Sequence, residues 1–310
     1  MAILLPASVG IAVLLACVVA LLAALAVAPA ASAASPGDDV WFLVRCDFSH
    51  RASVDPILFP YPPGNPVGED PNYDHDSHSH DFLGNKTTDY NSTYDGSEAG
   101  SVKMINQPTT CSRTKDTAGY WFPTVSWNGK ELTPNRVNFY YRAGGKDHTT
   151  VKPFPANLKV ITGRVRWYCG TDDVQEGSQD PPKNCKSGVL GVRIVFPDCS
   201  NGQIDDPNDH RSHMARSELQ PDGTRKCPEE THPIPVPTLT VNANFPIPET
   251  SGTVTLSSGA ASTMHSDFWN TWDQTELERL VVECINNVSP SDPRPKQCRA
   301  PIATAYSVLH

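Results

Sequence analysis

A mainly β fold, a jelly-roll-like β-sandwich with long Pro/Gly loops and one C-terminal helix, is what this chain predicts, and three observations predict it. Six segments read as strands, several of them alternating apolar with polar residues. The chain carries 29 prolines and 20 glycines, which suits long connections between short strands. Only one stretch has a convincing helical signature.

The strand segments are Val40–Cys46, Val137–Tyr141, Leu158–Tyr168, Gly188–Phe196, Leu239–Asn244 and Thr253–Ser257. Leu158-Lys159-Val160-Ile161-Thr162 and Thr238-Leu239-Thr240-Val241 alternate as half-buried strands do. The helix is predicted over Thr275–Asn287. Thr275-Glu276-Leu277-Glu278 reads as a capping box, Leu277, Leu280, Val281, Cys284 and Ile285 follow at helical spacing, and Pro290 and Pro293 end it. Trp269 and Trp272, just before it, are expected in the core. Nothing between the strands reads as a linker between two domains.

The first residues carry a different signal. Gly10 to Val27 is apolar throughout and is followed by Pro29 and the small-residue pattern Ala31-Ser32-Ala33. This predicts a secretory signal over residues 1–33, a single secreted domain over 34–288 and a peripheral tail over 289–310. The absence of Lys or Arg before Gly10 leaves an uncleaved anchor as the rival, and Leu14-Leu15-Ala16-Cys17 a lipobox-like one. After signal removal the expectation is an extracellular protein with no stable membrane insertion.

Cleavage also removes Cys17 and leaves eight cysteines, an even number that reads as a disulfide set in an exported chain. The predicted pairs are Cys169–Cys185, Cys199–Cys227 and Cys284–Cys298, each bracketing a polar loop, which leaves Cys46–Cys111. The net charge of −9 belongs entirely to residues after the signal and argues against a nucleic-acid partner.

The chemistry-bearing residues are histidines with carboxylates beside them. Asp74-His75-Asp76-Ser77-His78-Ser79-His80-Asp81 holds three of each, Asp209-His210-Arg211-Ser212-His213 is a second such element, and His265-Ser266-Asp267 a third. His78 and His80 are two apart and share a face on a strand. His210 and His213 are three apart and share a face on a helical turn. His78, His80, His210, His213 and His265 are therefore expected to converge on one cleft, with Asp209 or Asp267 orienting an imidazole as acid or base. The proline-rich loop Pro60–Tyr73 leads into the first element. Tyr140 or Tyr141 is a possible proton donor, although at least one of them is expected in the core. His50, His148 and His310 are expected at the surface, His75 facing solvent, and His232 packing a turn.

Motifs in a particular order carry a family resemblance. His78-Ser79-His80-Asp81-Phe82-Leu83-Gly84 is followed by Thr109-Thr110-Cys111 and Tyr120-Trp121-Phe122-Pro123. Next come Tyr140-Tyr141, Phe154-Pro155 and Phe196-Pro197-Asp198-Cys199. Asp206-Pro207-Asn208-Asp209-His210-Arg211-Ser212-His213 then leads to Cys227-Pro228, His232-Pro233-Ile234-Pro235 and His265-Ser266-Asp267-Phe268-Trp269-Asn270-Thr271-Trp272. This series resembles a secreted fungal and actinobacterial family catalogued as domain of unknown function number nineteen ninety-six. Ser200 stands where that family usually has Trp, and Asn208 is an extra residue in the second histidine element. The resemblance implies an extracellular fold and a site at the motif histidines, and supplies no reaction.

Two functions follow as expectations. One is hydrolysis or elimination on an extracellular polysaccharide, with His78, His80, Asp209, His210, His213, His265 and Asp267 lining the cleft. The other is non-catalytic, either Zn²⁺ or Cu²⁺ held by His78, His80, His210 and His213 or carbohydrate binding at the cell surface. A purely structural or adhesive role would leave the histidines incidental.

Overall fold

Ten strands in two antiparallel sheets form the body of the protein, seen in a computed structural model that describes residues 40–58, 77–170, 177–288 and 296–299. In chain order they are β1 (Trp41–Cys46), β2 (Phe48–Ala52), β3 (His80–Gly84), β4 (Gly119–Pro123) and β5 (Arg136–Arg142). Then follow β6 (Lys159–Thr162), β7 (Val165–Cys169), β8 (Val189–Val195), β9 (Thr238–Pro246) and β10 (Ser266–Trp269). One sheet has the order β1-β5-β9-β8-β7 and the other β6-β10-β4-β3-β2. The chain passes from one sheet to the other between β1 and β2 and again between β6 and β7. The crossing between β6 and β7, at Gly163-Arg164, splits the segment that the sequence reads as one strand over Leu158–Tyr168.

The two sheets face each other through aromatic side chains, as a β-sandwich requires. Tyr120 of β4 lies 4.1 Å from Phe139 of β5, and Phe122 packs edge-on against Phe245 of β9. Phe268 of β10 meets Phe154 and Phe196. The Tyr120 and Tyr141 hydroxyls are 2.6 Å apart, and Trp272 Nε1 donates to the Tyr141 oxygen at 3.0 Å. Tyr141 is thus a core residue, and Tyr140 lies on the opposite face of β5 against Trp41. Neither tyrosine reaches the histidines.

The second sheet is covered on its outer face as well. Phe82 of β3, Trp121 of β4, Ile161 of β6 and Trp269 of β10 form a separate apolar cluster with Ile57 and Met104. Consequently β3, β4 and β10 are buried at every position, and their sequences lack the alternation that marks a half-exposed strand.

The four predicted disulfides are all formed: Cys46–Cys111, Cys169–Cys185, Cys199–Cys227 and Cys284–Cys298. The late helix, α1, spans Gln274–Val281 and continues through a π-helical turn over Val282–Asn286. Its cap is Asp273, whose carboxylate accepts from the Glu276 amide at 3.2 Å, so the Thr275 capping box does not form. An aspartate one residue before the helix does the same work as a threonine, with an anion's added attraction to the helix dipole. Leu277, Leu280 and Val281 are buried. Cys298 is buried too, and its bridge to Cys284 ties this part of the tail to the helix.

The segment Thr253–Ser257 is a strand over Val254–Leu256, pairing with Val125–Trp127 beside the sandwich. The signal over residues 1–33, the loop Pro60–Tyr73, His75 and His310 lie outside the described residues. Among the described residues, no helix is long and apolar enough to cross a membrane.

Candidate metal centre

Strand pairing brings the first and third histidine elements together. In the second sheet β4 lies between β3 and β10, with Trp121 opposite both Phe82 and Asp267. His80 opens β3 opposite Pro123, and continuing the β10 register two residues back from Asp267 sets His265 across from the same Pro123. Side chains two apart share a face, so His80, Phe82, Trp121 and Asp267 all point outward, away from the sandwich core. His80 and His265 meet over the proline, at the end of the outer apolar cluster.

Hydrogen bonds fix which nitrogens they present. His80 Nδ1 lies 2.9 Å from the Val54 carbonyl, and His265 Nδ1 lies 2.9 Å from the Thr263 carbonyl. A carbonyl oxygen can only accept, so each Nδ1 carries the hydrogen and each neutral ring turns a lone pair outward at Nε2. Those two Nε2 atoms are 3.3 Å apart. Two lone pairs facing each other at that distance repel unless a cation lies between them.

His78 completes the group. Its ring is 4.3 Å from that of His80 and 5.1 Å from that of His265, and its Nε2 is buried with no hydrogen-bond partner. One nitrogen from each of the three lies within 4.8 Å of the others. A second set, within the same distance, joins His80 and His265 to Asp55 and Asp267. Asp267 is fully buried and both its oxygens lack a donor, the nearer one 3.8 Å from His265 Nε2. Asp55 accepts from the Ile57 and Leu58 amides, each at 3.1 Å, through Oδ1, and its Oδ2 is without a donor. A buried polar group left unpaired costs about 1–3 kcal/mol, and here five side chains share that condition.

Burial sets the protonation. It lowers the His78 and His265 pKa values, and it lowers that of His80 well below the usual range, with the other two rings adding to the effect. It raises those of Asp55 and Asp267, the latter well above the carboxylate range. The three imidazoles are therefore neutral acceptors at neutral pH, the form that binds metal.

This donor set fits a divalent transition metal. Two imidazole nitrogens 2.0–2.1 Å from a tetrahedral Zn²⁺ are separated by about 3.3 Å, the separation of the two Nε2 atoms. Orientation of a ligating histidine by a backbone carbonyl at its other nitrogen is the usual outer-sphere arrangement. His78, His80 and His265 would hold the ion, with Asp267 and Asp55 supplying the charge to balance it.

The second histidine element does not join them. His210 and His213 belong to neither group of close donor atoms. Residues 207–213 form a run of turns and bends with His210 at φ 53°, not a helical turn, so a spacing of three does not put both rings on one face. The His210 carbonyl accepts from the Ile161 amide at 3.0 Å, which docks this turn on β6, and its Nδ1 pairs with Asp205 at 2.7 Å. Ile161 in turn pairs with Asp267, so the turn stands at the margin of the centre. His213 is fully buried, near Asp205 and the Lys159 backbone. Asp209 is exposed and orients no imidazole. It accepts from the Arg211 and Ser212 amides at 2.8 Å and from the Ser212 hydroxyl, and these bonds hold its pKa at about 2. The partner expected of Asp209 is in fact Asp205.

Asp55 went unforeseen because it belongs to none of the three histidine-carboxylate elements; the Val54-Asp55-Pro56 step after β2 is its local mark. Of the histidines expected at the surface, His50 stacks on Phe82 and reaches the Thr88 carbonyl, and His148 meets the Ile285 carbonyl. Both are half-buried. His232 packs a turn as expected, its Nε2 2.9 Å from the Ser212 carbonyl.

Comparison with curated proteins finds no match, and comparison with solved structures finds none. One family model does match, over residues 69–272, a span that takes in His78, His80, His265 and Asp267 and leaves out Asp55. With well over half of the chain inside that match, the protein belongs to the family described as "Domain of unknown function (DUF1996)".

Proposed function

We propose that the protein is an extracellular metal-binding protein, holding Zn²⁺ or Cu²⁺ on His78, His80 and His265, with Asp267 and Asp55 as the anionic side of the site. The observation that carries this reading is the 3.3 Å approach of two Nε2 atoms whose rings are each locked by a backbone carbonyl. The four disulfides are compatible with an extracellular setting. His78 is half-buried and the His265 side chain is 13% exposed, so one side of the site faces solvent. A metal ion held by these residues would be reachable by water and could supply Lewis-acid chemistry of the kind hydrolytic centres use.

A metal-free acid–base cleft acting on polysaccharide is the second reading, and Asp267 favours it. A carboxyl kept protonated by burial, 3.8 Å from a neutral imidazole, offers a proton donor beside an acceptor.

Elemental analysis of the purified protein separates the two. The metal reading expects about one ion per chain, lost in His80→Ala and His265→Ala variants that melt as folded proteins. A wild-type chain that takes up neither Zn²⁺ nor Cu²⁺ under equilibrium dialysis overturns it.

A further inference from the structure

A second polar feature lies at the turn between β6 and β7. Arg164, Arg166, Arg216 and Arg225 line one cleft of about 210 Å³ together with Ser217 and Asp198. Four guanidinium groups in one cleft are unexpected in a chain of net charge −9.

Among the described residues of the lining, no carboxylate is left to neutralise them. Asp198, the acid of the lining, is already committed to Lys146 at 2.5 Å and to Thr238 and Ser217. Arg216 is held only by neutral acceptors: the Thr162 hydroxyl, and the Val195 and Phe196 carbonyls. Arg225 is held by the Ser217 hydroxyl and carbonyl. Arg164 and Arg166 are exposed, and among the described residues neither has an acidic partner. Two guanidinium groups are thus fixed by neutral contacts and two stand exposed at the rim without an acidic partner among the described residues, which is how an oxyanion site is built when the anion comes from outside.

The feature is longer than one group. Arg216 also lines an adjoining hollow of about 210 Å³ with Arg211 and Ile161, and Ile161 pairs with Asp267 across β6 and β10. Arginines therefore mark a path from the cleft toward the candidate metal centre. A ligand that spans both hollows carries repeated negative groups along a chain. Among the described residues of the cleft, the aromatic one, Phe196, is 1% exposed and offers no face for a nucleic-acid base to stack on.

We propose that this arginine cleft binds a chain of an acidic polysaccharide, with carboxylate or sulfate groups received by Arg164, Arg166, Arg216 and Arg225. Acidic glycans are the polyanions available to a disulfide-bonded protein outside the cell, and the inference stands without the metal reading.

The test is calorimetric titration of the full-length protein, with chelator present so that failure of the metal reading does not move the result. The ligands are a polyuronate oligomer, a sulfated oligosaccharide, a neutral oligosaccharide of equal length, inorganic sulfate, and a single-stranded oligonucleotide of matched charge. Binding of an acidic oligosaccharide but not the neutral one is expected, weakening as salt rises. The Arg164→Gln/Arg166→Gln variant, altered only at exposed positions, is expected to melt with the wild type and to bind about tenfold more weakly. Unchanged affinity in that variant overturns the proposal. So does binding of inorganic sulfate alone, or an oligonucleotide that binds as tightly as either glycan.

Discussion

Asp198 and Asp267 are both buried aspartates of one domain, and they are finished in opposite ways. Asp198 accepts from Lys146 Nζ, the Thr238 hydroxyl and both the amide and hydroxyl of Ser217. Burial pushes its pKa up, but the Lys146 charge and these bonds outweigh burial and hold it below the usual range. Asp267 has no donor on either oxygen, and burial raises it far above that range. Where a fold needs a buried charge for itself, it supplies the partner. A carboxyl buried without one, beside three imidazoles that also lack donors at Nε2, is placed for something the chain does not supply.

The contrast can be broken by removing each carboxylate in turn. Asp198→Ala strands the Lys146 ammonium in the core and is expected to cost about 3–5 kcal/mol, the usual loss when one half of a buried pair is removed. Asp267→Asn removes an unsatisfied acid and is expected to change metal-free stability by less than about 1 kcal/mol, in either direction. Urea unfolding in chelator measures both. Equal losses in the two variants would show that Asp267 has an internal partner after all.

Added metal sharpens the same comparison from the other side. A ligand that binds only the native state at 100 times its Kd stabilises it by about 2.7 kcal/mol. Thermal melts with Zn²⁺ or Cu²⁺ are expected to show that gain in the wild type and in Arg164→Gln, and to lose it in His80→Ala. A gain that survives in His80→Ala would place the ion elsewhere.

A third buried aspartate gives the pH dependence. Asp116 is fully buried, and burial raises its pKa to about 8 although Tyr120 and the Ala118 amide donate to it. Its unfolded value is about 3.9, so between those values the native state holds a proton that the unfolded chain releases. The stability it contributes is complete below about pH 4 and declines as pH rises toward about 8. Asp198, with its pKa lowered, works in the opposite sense, losing stability as pH falls below the unfolded value. Denaturation midpoints of Asp116→Asn across this range are expected to fall less steeply with pH than those of the wild type. Parallel curves would remove Asp116 from the account.

These three residues also show what the sequence could reveal. The sheet β1-β5-β9-β8-β7 was largely legible because its strands alternate or run long in Val, Leu and Ile. Most of the other sheet was not. His80–Gly84, Gly119–Pro123 and Ser266–Trp269 are buried on both faces, so no polar rhythm survives, and their His, Asp, Gly and Pro residues read as loop. The disulfides were legible because each short pair brackets a loop. The site was half legible: His78 and His80 share a face once they flank a strand start, and the family order pointed to His265 and Asp267. Asp55 was hidden because only the pairing of β2 with β3 brings it near. His210 and His213 misled because a spacing of three carries directional meaning only inside a helix, and this segment turns through a left-handed residue at His210.

The smallest expected effect follows from that misreading. Asp209 carries a carboxylate directly before His210, which is why it resembles an acid–base partner, yet its oxygens tie the backbone of its own turn. Asp209→Ala is therefore expected to cost about 1 kcal/mol, the order of a lost capping bond, and to leave metal retention unchanged. Asp205 contrasts with it, because its carboxylate meets the imidazole of His210, whose carbonyl holds the Ile161 amide opposite Asp267. Asp205→Asn is expected to weaken metal retention a few-fold through that relay, since outer-sphere partners of a metal site commonly matter by about tenfold or more when they touch a ligand directly and His210 is one step removed. Equilibrium dialysis of the two variants side by side reads the difference. If Asp209→Ala loses the metal and Asp205→Asn keeps it, the turn belongs to the centre through Asp209 and the roles assigned to the two aspartates are reversed.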